Sequence, residues 1–491
     1  MASSKKLLKN NSVRVKNAAV PTVNQHAPAA QHPLVVHLQA FLTNAFNLTE
    51  NLKQPQLLLA LSGGLDSCVL LHLLSALNKS GTLPFESHAL HVHHGLSANA
   101  DDWFDFCVAQ CAKLNVPLQI VQVKVDKNSG LGIEAAARQL RYQALFNYRF
   151  EANGEVADYI VTAHHQDDQA ETLLLQLFRG SGVKGLAAMA AVDKPRRLLR
   201  PLLDVSRQTL HDYAMQHNID WCEDESNIDT KYERNFVRHD VLSMLETRAP
   251  AVKSVLARTA SHLAEASDLL DSLAEMDAKP LIIETGHENS LCLQGLSALD
   301  IPRTKNVLRW WFSKNHLAMP NTEQLNEIVD QLLNAKPDAN VCLELSSFSA
   351  SHLTLRRYQQ RAYLCREQTT QPFDMVWNGE ASLSLPNGGQ LEFKQVIGEG
   401  LAVKFGMTKL RVTNRDGGER FKPNVLRPTR TLKHLLQEAN MPPWQREHLP
   451  LIYWQDTLAC VPGIGIAHEL QATEGEQGIM VYWQDSPKEP Q

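Results

Sequence analysis

The residues best suited to chemistry stand in one short loop, Ser62-Gly63-Gly64-Leu65-Asp66-Ser67, between an apolar run and a stretch of helical length. Its two glycines lack Cβ atoms, so the backbone can approach a pyrophosphate closely, and amide groups at a helix N-terminus favour an anion. The hydroxyls of its two serines add further donors. Ionised Asp66 cannot donate to phosphate, and we expect it to hold Mg²⁺ instead. The loop therefore predicts an ATP-binding site.

The ending of this loop argues against one large class of nucleotide-binding proteins. It lacks the Gly-Lys-Ser/Thr ending of the Walker loop, which disfavours an ATPase that transfers the γ-phosphate. A glycine turn that only begins a helix is the alternative interpretation. The complete Ser-Gly-Gly-x-Asp-Ser pattern directly after an apolar strand favours phosphate binding.

A second group of ionisable residues lies in the segment His164-His165-Gln166-Asp167-Asp168-Gln169-Ala170-Glu171-Thr172. We expect His164 to stand at the carboxyl end of a strand. Asp168 and Glu171 are three residues apart on the following helix, so they share one face. An imidazole and two carboxylates can receive a cationic amine and help to remove its proton. Metal ligation and a solvated run of surface charge are the alternatives.

The elements that position both groups are predicted from alternating apolar runs and helical stretches. Strands are predicted at 57–61, 88–93, 118–125 and 159–163, and helices at 67–77, 99–114, 133–150 and 167–178. This alternation indicates an α/β fold with a parallel sheet covered on both faces. Ligands of such sheets bind beyond the carboxyl ends of the strands, where both groups stand.

Changes in pattern divide the rest of the chain. Helices dominate from about residue 206, at 206–217, 232–245, 251–274, 297–314 and 323–333, and short strands return beyond 340. The 491 residues exceed the usual size of one hydrophobic core. We therefore expect a flexible N-terminal tail at 1–50, a catalytic domain at 51–245, a mainly helical middle domain at 246–370 and a C-terminal α+β domain at 371–491.

Composition excludes several classes of protein. The chain is 44% apolar, and nowhere do 18 apolar residues run together, which excludes a membrane span. Its eight cysteines form no CxxC pair, and such scattered thiols favour a reducing, cytoplasmic location. The formal charge of -5 argues against a uniformly basic surface but leaves room for one basic face.

The phosphate loop resembles the signature of the PP-loop, or N-type ATP pyrophosphatase, superfamily, and further motifs resemble one of its families, the tRNA(Ile)-lysidine synthetases. These motifs are 93–96, 134–138 with Arg141-Tyr142, 164–172, 179–182 with Gly185-Leu186, 200–203, 224–227 and 234–238. Residues 415–421, 431–436 and 461–465 resemble the C-terminal domain of that family. One position departs: the family usually has arginine where this chain has Ser97, so any contact made by that arginine is in question.

The resemblance implies a ligase with a parallel-sheet PP-loop nucleotide-binding domain, a helical middle domain and a small α+β C-terminal domain. Its substrates would be ATP, L-lysine and an isoleucine tRNA with a CAU anticodon. The wobble cytidine would be adenylated and then converted to lysidine, which changes specificity from methionine to isoleucine. The resemblance also makes a homodimer reasonable.

The resemblance also implies roles for single residues. The loop 62–67 would hold pyrophosphate and Asp66 the Mg²⁺ ion, while His164, Asp168 and Glu171 would orient and deprotonate lysine. Arg138 is the candidate for stabilising charge at the α-phosphate, with a helix-surface arginine as the alternative. RNA contact and structural capping are equally open for Asp224, Asn227, Arg234, Asn235 and Arg238.

Two basic stretches are candidates for tRNA contact. Between Lys404 and Lys433, nine basic residues face two acidic ones; the basic residues are at 404, 409, 411, 415, 420, 422, 427, 430 and 433. The second stretch comprises Lys194, Arg196, Arg197, Arg200 and Arg207. RNA binding needs phosphate neutralisation across a face, which such stretches can supply. An ordinary solvated face is the alternative for both.

Three other functions fit part of the same pattern. A tRNA 2-thiolating PP-loop enzyme performs the same adenylation, but many of these carry cysteine pairs that are missing here. An amide ligase acting on a small metabolite would not need a basic C-terminal domain. A catalytically dead RNA-binding scaffold is disfavoured because Asp66, His164, Asp168 and Glu171 are all present.

Overall fold

The computed structural model describes residues 32–47, 54–93, 95, 99–125, 133–150, 154–223, 229–285, 288–336, 339, 341–345, 353–366, 371–386, 389–406, 409–423, 425 and 428–484. The chain divides into two compact units, the first ending at Leu269 and the second beginning at Leu270. The predicted boundaries of the four domains stay predictions. Among the described residues, no helix combines the length and apolar character needed to cross a membrane.

The first unit is built on a six-stranded sheet in the order β3-β2-β1-β4-β6-β5. Its strands are β1 (Gln56–Ala60), β2 (Glu86–His93), β3 (Leu118–Gln122), β4 (Tyr159–Val161), β5 (Val192–Asp193) and β6 (Leu198–Leu199). All neighbours run parallel except β5 and β6. Leu57 and Leu59 pack into one apolar cluster and Leu58 into another, so both faces of the sheet are covered. The predicted parallel α/β sheet is confirmed.

The helices of this unit follow the sequence pattern closely. They are α1 (Pro33–Asn47), α2 (Leu65–Ser80), α3 (Ala100–Leu114), α4 (Ile133–Asn147), α5 (Gln166–Phe178), α6 (Val183–Leu186), α7 (Arg207–Gln216), α8 (Glu233–Phe236), α9 (Leu242–Arg248) and α10 (Val252–Ala278), the last of which extends into the second unit. A helix over 232–245 was expected. The observed helix is divided by a π-helical turn at Val237–Val241, a feature common near functional sites.

Helix α1 lies in the part of the chain whose composition predicted a flexible tail. Leu34, Leu38 and Leu42 recur at helical spacing and are at most 5% exposed, because this face packs into the apolar cluster of the sheet. The apolar stripe therefore outweighs the polar composition of its surroundings. Residues 1–31 of the predicted tail lie outside the described residues.

The second unit begins with a layer of helices that packs on a five-stranded sheet. The short α11 (Leu293–Ser297) was not predicted, whereas helices α12 (Ile301–Lys314) and α13 (Thr322–Leu333) match the predicted helices at 297–314 and 323–333. They pack on a five-stranded sheet that comprises β7 (Ile282–Thr285), β8 (Glu288–Cys292), β9 (Cys342–Leu345), β10 (Leu353–Tyr358) and β11 (Arg361–Arg366). The first two strands were not predicted, because they are short and lie between strongly helical segments.

The last part of the chain is rich in antiparallel strands. These are β12 (Asp374–Trp377), β13 (Ser382–Ser384), β14 (Gln390–Ile397), β15 (Leu401–Ala402), β16 (Leu410–Thr413), β17 (Arg420–Phe421), β18 (Arg430–Thr431), β19 (Leu451–Trp454), β20 (Thr457–Val461), β21 (Gly465–Ile466) and β22 (Gln477–Gln484). Two short helices, α14 (Leu432–Glu438) and α15 (Pro443–His448), complete it. One apolar cluster holds these elements together, including Leu410, Leu432 and Leu451, each fully buried. This arrangement agrees with the predicted α+β fold.

Candidate active site

The phosphate loop connects β1 to α2 at the carboxyl edge of the sheet, as predicted. Ser67 is buried, and its hydroxyl donates to the carbonyl of Gly64 at 3.0 Å and lies 3.1 Å from the hydroxyl of Ser62. The amide of Ser62 donates to the same Ser67 hydroxyl at 3.3 Å. Leu65 is 5% exposed and anchors the first turn of α2 in the core. The loop is therefore held in shape before any phosphate binds.

Gly63 occupies a position where a side chain would be strained and crowded. Its φ of +86° lies in the left-handed region, and a Cβ atom would stand 3.1 Å from the sulfur of Cys107. The amide of Cys222 donates to the Gly63 carbonyl at 2.9 Å and fixes the loop from a distant part of the chain. Gly64 has extended backbone dihedrals and forms the N-cap of α2. The two glycines thus serve different purposes, backbone reversal and helix entry.

Asp66 points toward the second candidate group. Its Oδ2 lies 3.5 Å from Nε2 of His165, while its buried Oδ1 has no hydrogen-bond partner among the described residues. A carboxylate oxygen left unpaired in this way fits a hard cation such as Mg²⁺. In the described parts of the chain, no three His, Cys, Asp or Glu side chains are placed so that together they could hold a metal ion. Phosphate oxygens and water would have to complete the coordination, as is usual for Mg²⁺.

His165, which the sequence analysis assigned no role, lies between three carboxylates. Its Nε2 is 3.5 Å from Oδ2 of Asp168 as well as from Asp66, and its Nδ1 is 4.0 Å from Oδ1 of Asp167. Burial disfavours the imidazolium, but the negative charges of Asp168, Asp66 and Asp167 outweigh burial and raise the pKa of His165. The residue links the phosphate loop to α5. Only its place beside His164 in the motif could have drawn attention to it.

His164 stands just beyond β4, as predicted, and lies in a cationic environment. Its Nδ1 is 2.8 Å from the hydroxyl of Thr162. Burial, reinforced by the charges of Arg200, Arg234 and Arg138, lowers the pKa of His164 to about 3 although Asp168 opposes the shift. The imidazole is consequently neutral at pH 7.

Asp168 and Glu171 are brought together, as the helical spacing predicted, but two arginines share their charge. Arg234 donates from Nε to Glu171 Oε2 and from Nη2 to Asp168 Oδ1, both at 2.7 Å. Arg238 donates from Nε to Glu171 Oε1 at 2.5 Å. The pKa of Asp168 is lowered strongly, because the positive charges of His165 and Arg234 outweigh its burial. Arg234 and Arg238, left open between RNA contact and structural pairing, pair here with the candidate carboxylates.

Arg138 lies on α4 with an exposed side chain and acts electrostatically on His164. Its guanidinium carbon is 5.3 Å from the ring centroid of Tyr142 on the same helix, in cation-π geometry. Arg200, by contrast, is 7% exposed and donates from Nη1 to the carbonyl of Ala190 at 2.6 Å. Arg200 was expected to contact tRNA with its basic neighbours, but burial removes it from the surface. Asp224 and Asn227 lie outside the described residues, as does Ser97.

A cavity of about 560 Å³ adjoins the carboxylate cluster. It lies between α5, α7, the π-helical turn, α9 and the start of α10, and its walls include Glu171 and Arg238. Lys253 reaches into this region, with Nζ 2.9 Å from Asp167 Oδ2 and 3.0 Å from Glu246 Oε1. The cavity is lined by charges of both signs, which suits a zwitterionic ligand better than an apolar one.

In the second unit, several members of the basic stretch 404–433 already have acidic partners. Lys404 pairs with Glu476 at 2.7 Å, and Arg411 pairs with Asp374 at 2.9 Å. Arg415 pairs with Glu419, and Arg430 with Glu438. Three of these acids come from outside the stretch 404–433. The excess of positive charge on this part of the folded protein is therefore smaller than the count within the stretch indicates.

The fold and the site together define a PP-loop nucleotide-binding enzyme. The family model described as a PP-loop domain matches residues 36–245. Two further models match the second unit: a TilS substrate binding domain at 291–363 and a TilS substrate C-terminal domain at 410–483.

The particular family follows from similar proteins. The chain is 40% identical over 440 residues to the tRNA(Ile)-lysidine synthase of Nitrosomonas europaea, a match that covers 88% of this chain and 92% of that protein. It is 38% identical over 446 residues to the enzyme of the same name from Escherichia coli O157:H7, covering 87% and 96%. The chain belongs to the tRNA(Ile)-lysidine synthase family. The predicted family and its ligase class are confirmed.

Among solved structures, the U34-tRNA thiolase NcsA from Methanococcus maripaludis, with its [4Fe-4S] cluster, is similar with 20% sequence identity and a TM-score of 0.39. The match covers 47% of this chain and 78% of that chain.

Proposed function

We propose that this protein joins L-lysine to the wobble cytidine of an isoleucine tRNA with a CAU anticodon, using ATP and forming lysidine. The observation that carries this proposal is the meeting of the 62–67 loop with the His164, Asp168 and Glu171 cluster in a chain that belongs to this family. A nucleotide site beside a carboxylate pair suits activation by ATP followed by attack of an amine.

The reaction has two steps, each with a defined leaving group. In the first, the 2-carbonyl oxygen of cytosine attacks the α-phosphate of ATP, and pyrophosphate leaves. In the second, the ε-amine of lysine attacks the adenylated carbon, AMP leaves, and the amine gives up its proton. Adenylation converts a poor leaving oxygen into a good one, which accounts for the use of ATP.

The phosphate loop is assigned to pyrophosphate and Asp66 to Mg²⁺. The loop leads into the N-terminus of α2, where backbone amides and the helix dipole favour an anion, and the hydroxyls of Ser62 and Ser67 lie 3.1 Å apart in this loop. Mg²⁺ at Asp66 would neutralise part of the polyphosphate charge. Arg138, exposed on α4, is assigned to the charge that develops at the α-phosphate.

Asp168 and Glu171 are assigned to orienting the lysine amine, and neutral His164 to accepting its proton during the attack. A base of low pKa cannot deprotonate a free ammonium, whose pKa is about 10.4, so the ammonium loses its first proton to solvent and the neutral amine is the form that attacks. Bonding of the nitrogen to the cytosine ring makes its proton far more acidic, and His164 suffices at that stage. The adjoining cavity, which Glu171 and Arg238 line, is large enough for lysine.

In the described state Arg234 and Arg238 occupy the carboxylates, so a lysine ammonium needs these arginines to turn to another anion. RNA phosphates are suitable partners, since guanidinium binds phosphate as well as carboxylate.

Contact of tRNA with both units, a homodimer and a cytoplasmic location also remain part of this proposal. None of the eight cysteines, all of which are described, forms a disulfide, which suits a reducing compartment.

Incorporation of radiolabelled lysine into an unmodified CAU-anticodon isoleucine tRNA transcript, with ATP and Mg²⁺, tests the proposal. We expect label in the tRNA with the wild type and none with Asp66→Ala. Pyrophosphate release without label would leave adenylation standing and reject lysine as the nucleophile. Absence of both would reject the ligase in favour of an RNA-binding scaffold.

A further inference from the structure

Three aromatic side chains are exposed on neighbouring helices beside the candidate active site. Phe178 at the end of α5 is 61% exposed, Tyr232 just before α8 is 38% exposed and Phe236 at the end of α8 is 46% exposed. The amide of Phe236 donates to the carbonyl of Tyr232 at 2.9 Å, so these two side chains are one helical turn apart on one face. Arg179 lies 3.4 Å from Glu233 and so brings the end of α5 to the start of α8. We call these three rings the aromatic surface.

Such a group of exposed rings is unusual in a folded chain. A folded protein scatters single apolar side chains over its surface, but a cluster of them marks a binding site. Leu177, which is 52% exposed, enlarges the apolar area next to Phe178. No described residue stacks on any of the three rings. The three rings therefore have faces that the flat faces of an occupant can stack against.

The charge around the aromatic surface narrows the choice of occupant. Arg179 and Lys184 are exposed at and beyond the end of α5. Two acids beside Tyr232 are also exposed, namely Asp229 and Glu233. Glu233 pairs with Arg179, so basic residues are only in slight excess. Lys231, next to Tyr232, is exposed. Flat apolar faces combined with negative charge are the chemistry of unpaired nucleotides, whose bases stack on aromatic side chains while their phosphates face cations.

The aromatic surface is also continuous with the candidate active site. Helix α5 carries Asp168 and Glu171 as well as Phe178. Helix α8 carries Arg234, which contacts both of these carboxylates at 2.7 Å, as well as Phe236. An RNA strand that occupies this surface therefore contacts the same two helices that carry the site. Self-association through this surface would not require it to adjoin the active site, so the continuity favours RNA as the occupant.

We propose that Phe178, Tyr232 and Phe236 stack against unpaired anticodon-loop bases of the tRNA and hold the loop beside the active site. This inference rests on the proposed function, because it takes the RNA substrate from it. The rings bind the bases, and the reacting groups stay with the residues already assigned. Loss of a ring is therefore expected to weaken RNA binding without changing the chemistry on ATP.

The test measures the Kd for the full-length CAU-anticodon isoleucine tRNA transcript with the complete protein. Phe178→Ala and Phe236→Ala are each expected to raise Kd about fivefold or more, as for loss of one stacked base. Phe236→Trp keeps an aromatic ring and is expected to bind the tRNA like the wild type. Phe236→Leu is expected to bind more weakly, because leucine keeps apolar area but has no ring. Met244→Ala is the matched control, since Met244 is 64% exposed on α9 and is not aromatic.

The salt dependence separates stacking from phosphate contact. Lys231→Gln is expected to reduce the slope of log Kd against log salt concentration, while the aromatic variants leave it unchanged. Wild-type affinity in both alanine variants, or full binding by Phe236→Leu, would overturn the inference. A change in sedimentation instead of tRNA affinity would assign the surface to self-association and also overturn it. If the wild type binds no tRNA, the proposed function itself fails.

Discussion

Both carboxylate oxygens of Glu171 accept hydrogen bonds from Arg238, with Nε 2.5 Å from Oε1 and Nη2 3.1 Å from Oε2. The side chain of Glu171 is 1% exposed, whereas that of Arg238 is 32% exposed. The pKa of Arg238 is raised, because the hydrogen bonds and charge of Glu171, with Asp168, outweigh burial. The buried acid is therefore fixed while the arginine has one side open to solvent.

Removal of the Glu171 charge should destabilise the first unit. Glu171→Gln leaves Arg234 and Arg238 partly buried without one carboxylate, and we expect a loss of about 2 kcal/mol, between the values for exposed and for buried pairs. Glu233→Gln is the control, because its pair with Arg179 is exposed on both sides and should contribute under about 0.5 kcal/mol. Urea unfolding measures both; equal losses would contradict the role of burial.

Substitution of Asp66 should abolish adenylation with little effect on folding. We expect Asp66→Asn to slow tRNA-dependent pyrophosphate release at least about 100-fold, because an amide binds Mg²⁺ poorly and a metal stabilises transition-state charge by several kcal/mol. Asp102→Asn, an exposed acid on α3, is the control. Pyrophosphate release is followed across a Mg²⁺ titration. An unchanged Mg²⁺ requirement in Asp66→Asn would show that the metal lies elsewhere.

Two glycines at the ends of the same loop-helix unit allow a matched test of crowding. Gly63 and Gly81 both have positive φ, of +86° and +65°, but only Gly63 has a neighbour that an added Cβ would crowd, the sulfur of Cys107 at 3.1 Å. Gly81→Ala should cost about 1 kcal/mol from backbone strain alone. Gly63→Ala should cost more and also weaken ATP binding. Thermal unfolding and ATP titration measure the two effects, and identical behaviour of the variants would refute the close packing under the loop.

Acid sensitivity should depend on His72, which lies on α2 with its Nδ1 2.9 Å from the Tyr213 hydroxyl. Burial first, and then nearby positive charge, lowers the pKa of His72 to about 4 from about 6.5 in an unfolded chain. As pH falls from 6.5 to 4, the unfolded state binds a proton that the folded state does not, so the free energy of unfolding decreases. His72→Gln should reduce that slope by up to about 1.4 kcal/mol per pH unit.

The measurement is urea unfolding at several pH values between 4 and 7. The exposed His262 on α10 provides the control His262→Gln, which should follow the wild type. A His72→Gln slope equal to that of the wild type would show that other groups cause the acid sensitivity.

Basic residues of the second unit should differ in their contribution to tRNA binding. Arg411 forms a bidentate pair with Asp374, whereas no carboxylate of a described residue lies within ion-pair distance of exposed Lys433. Lys433→Ala should therefore weaken tRNA binding and reduce the salt slope by about 1, since one phosphate contact is lost. Arg411→Ala should have a smaller effect, because its charge is already compensated. Filter binding at several salt concentrations distinguishes them; equal effects would contradict this compensation.

Much of the nucleotide site could be predicted from the chain, because its determinants are local. The loop 62–67, the strand before it and the helix after it are contiguous, so turn chemistry and apolar periodicity define them together. The same holds for Asp168 and Glu171, whose spacing of three residues places them on one helix face in any context. Short strands such as β7 were missed because no local pattern distinguishes them from neighbouring helices.

Only the tertiary structure decided which charged side chains form ion pairs with one another. Arg234 and Arg238 lie more than 60 positions from Glu171, and their partners could not be read from spacing. Asp374 and Glu476 likewise reach basic residues distant in sequence, and burial withdraws Arg200 from the surface. The sequence by itself determined the phosphate loop, the parallel sheet and the family. Ion pairing depends on distance and burial in space, and chain separation determines neither.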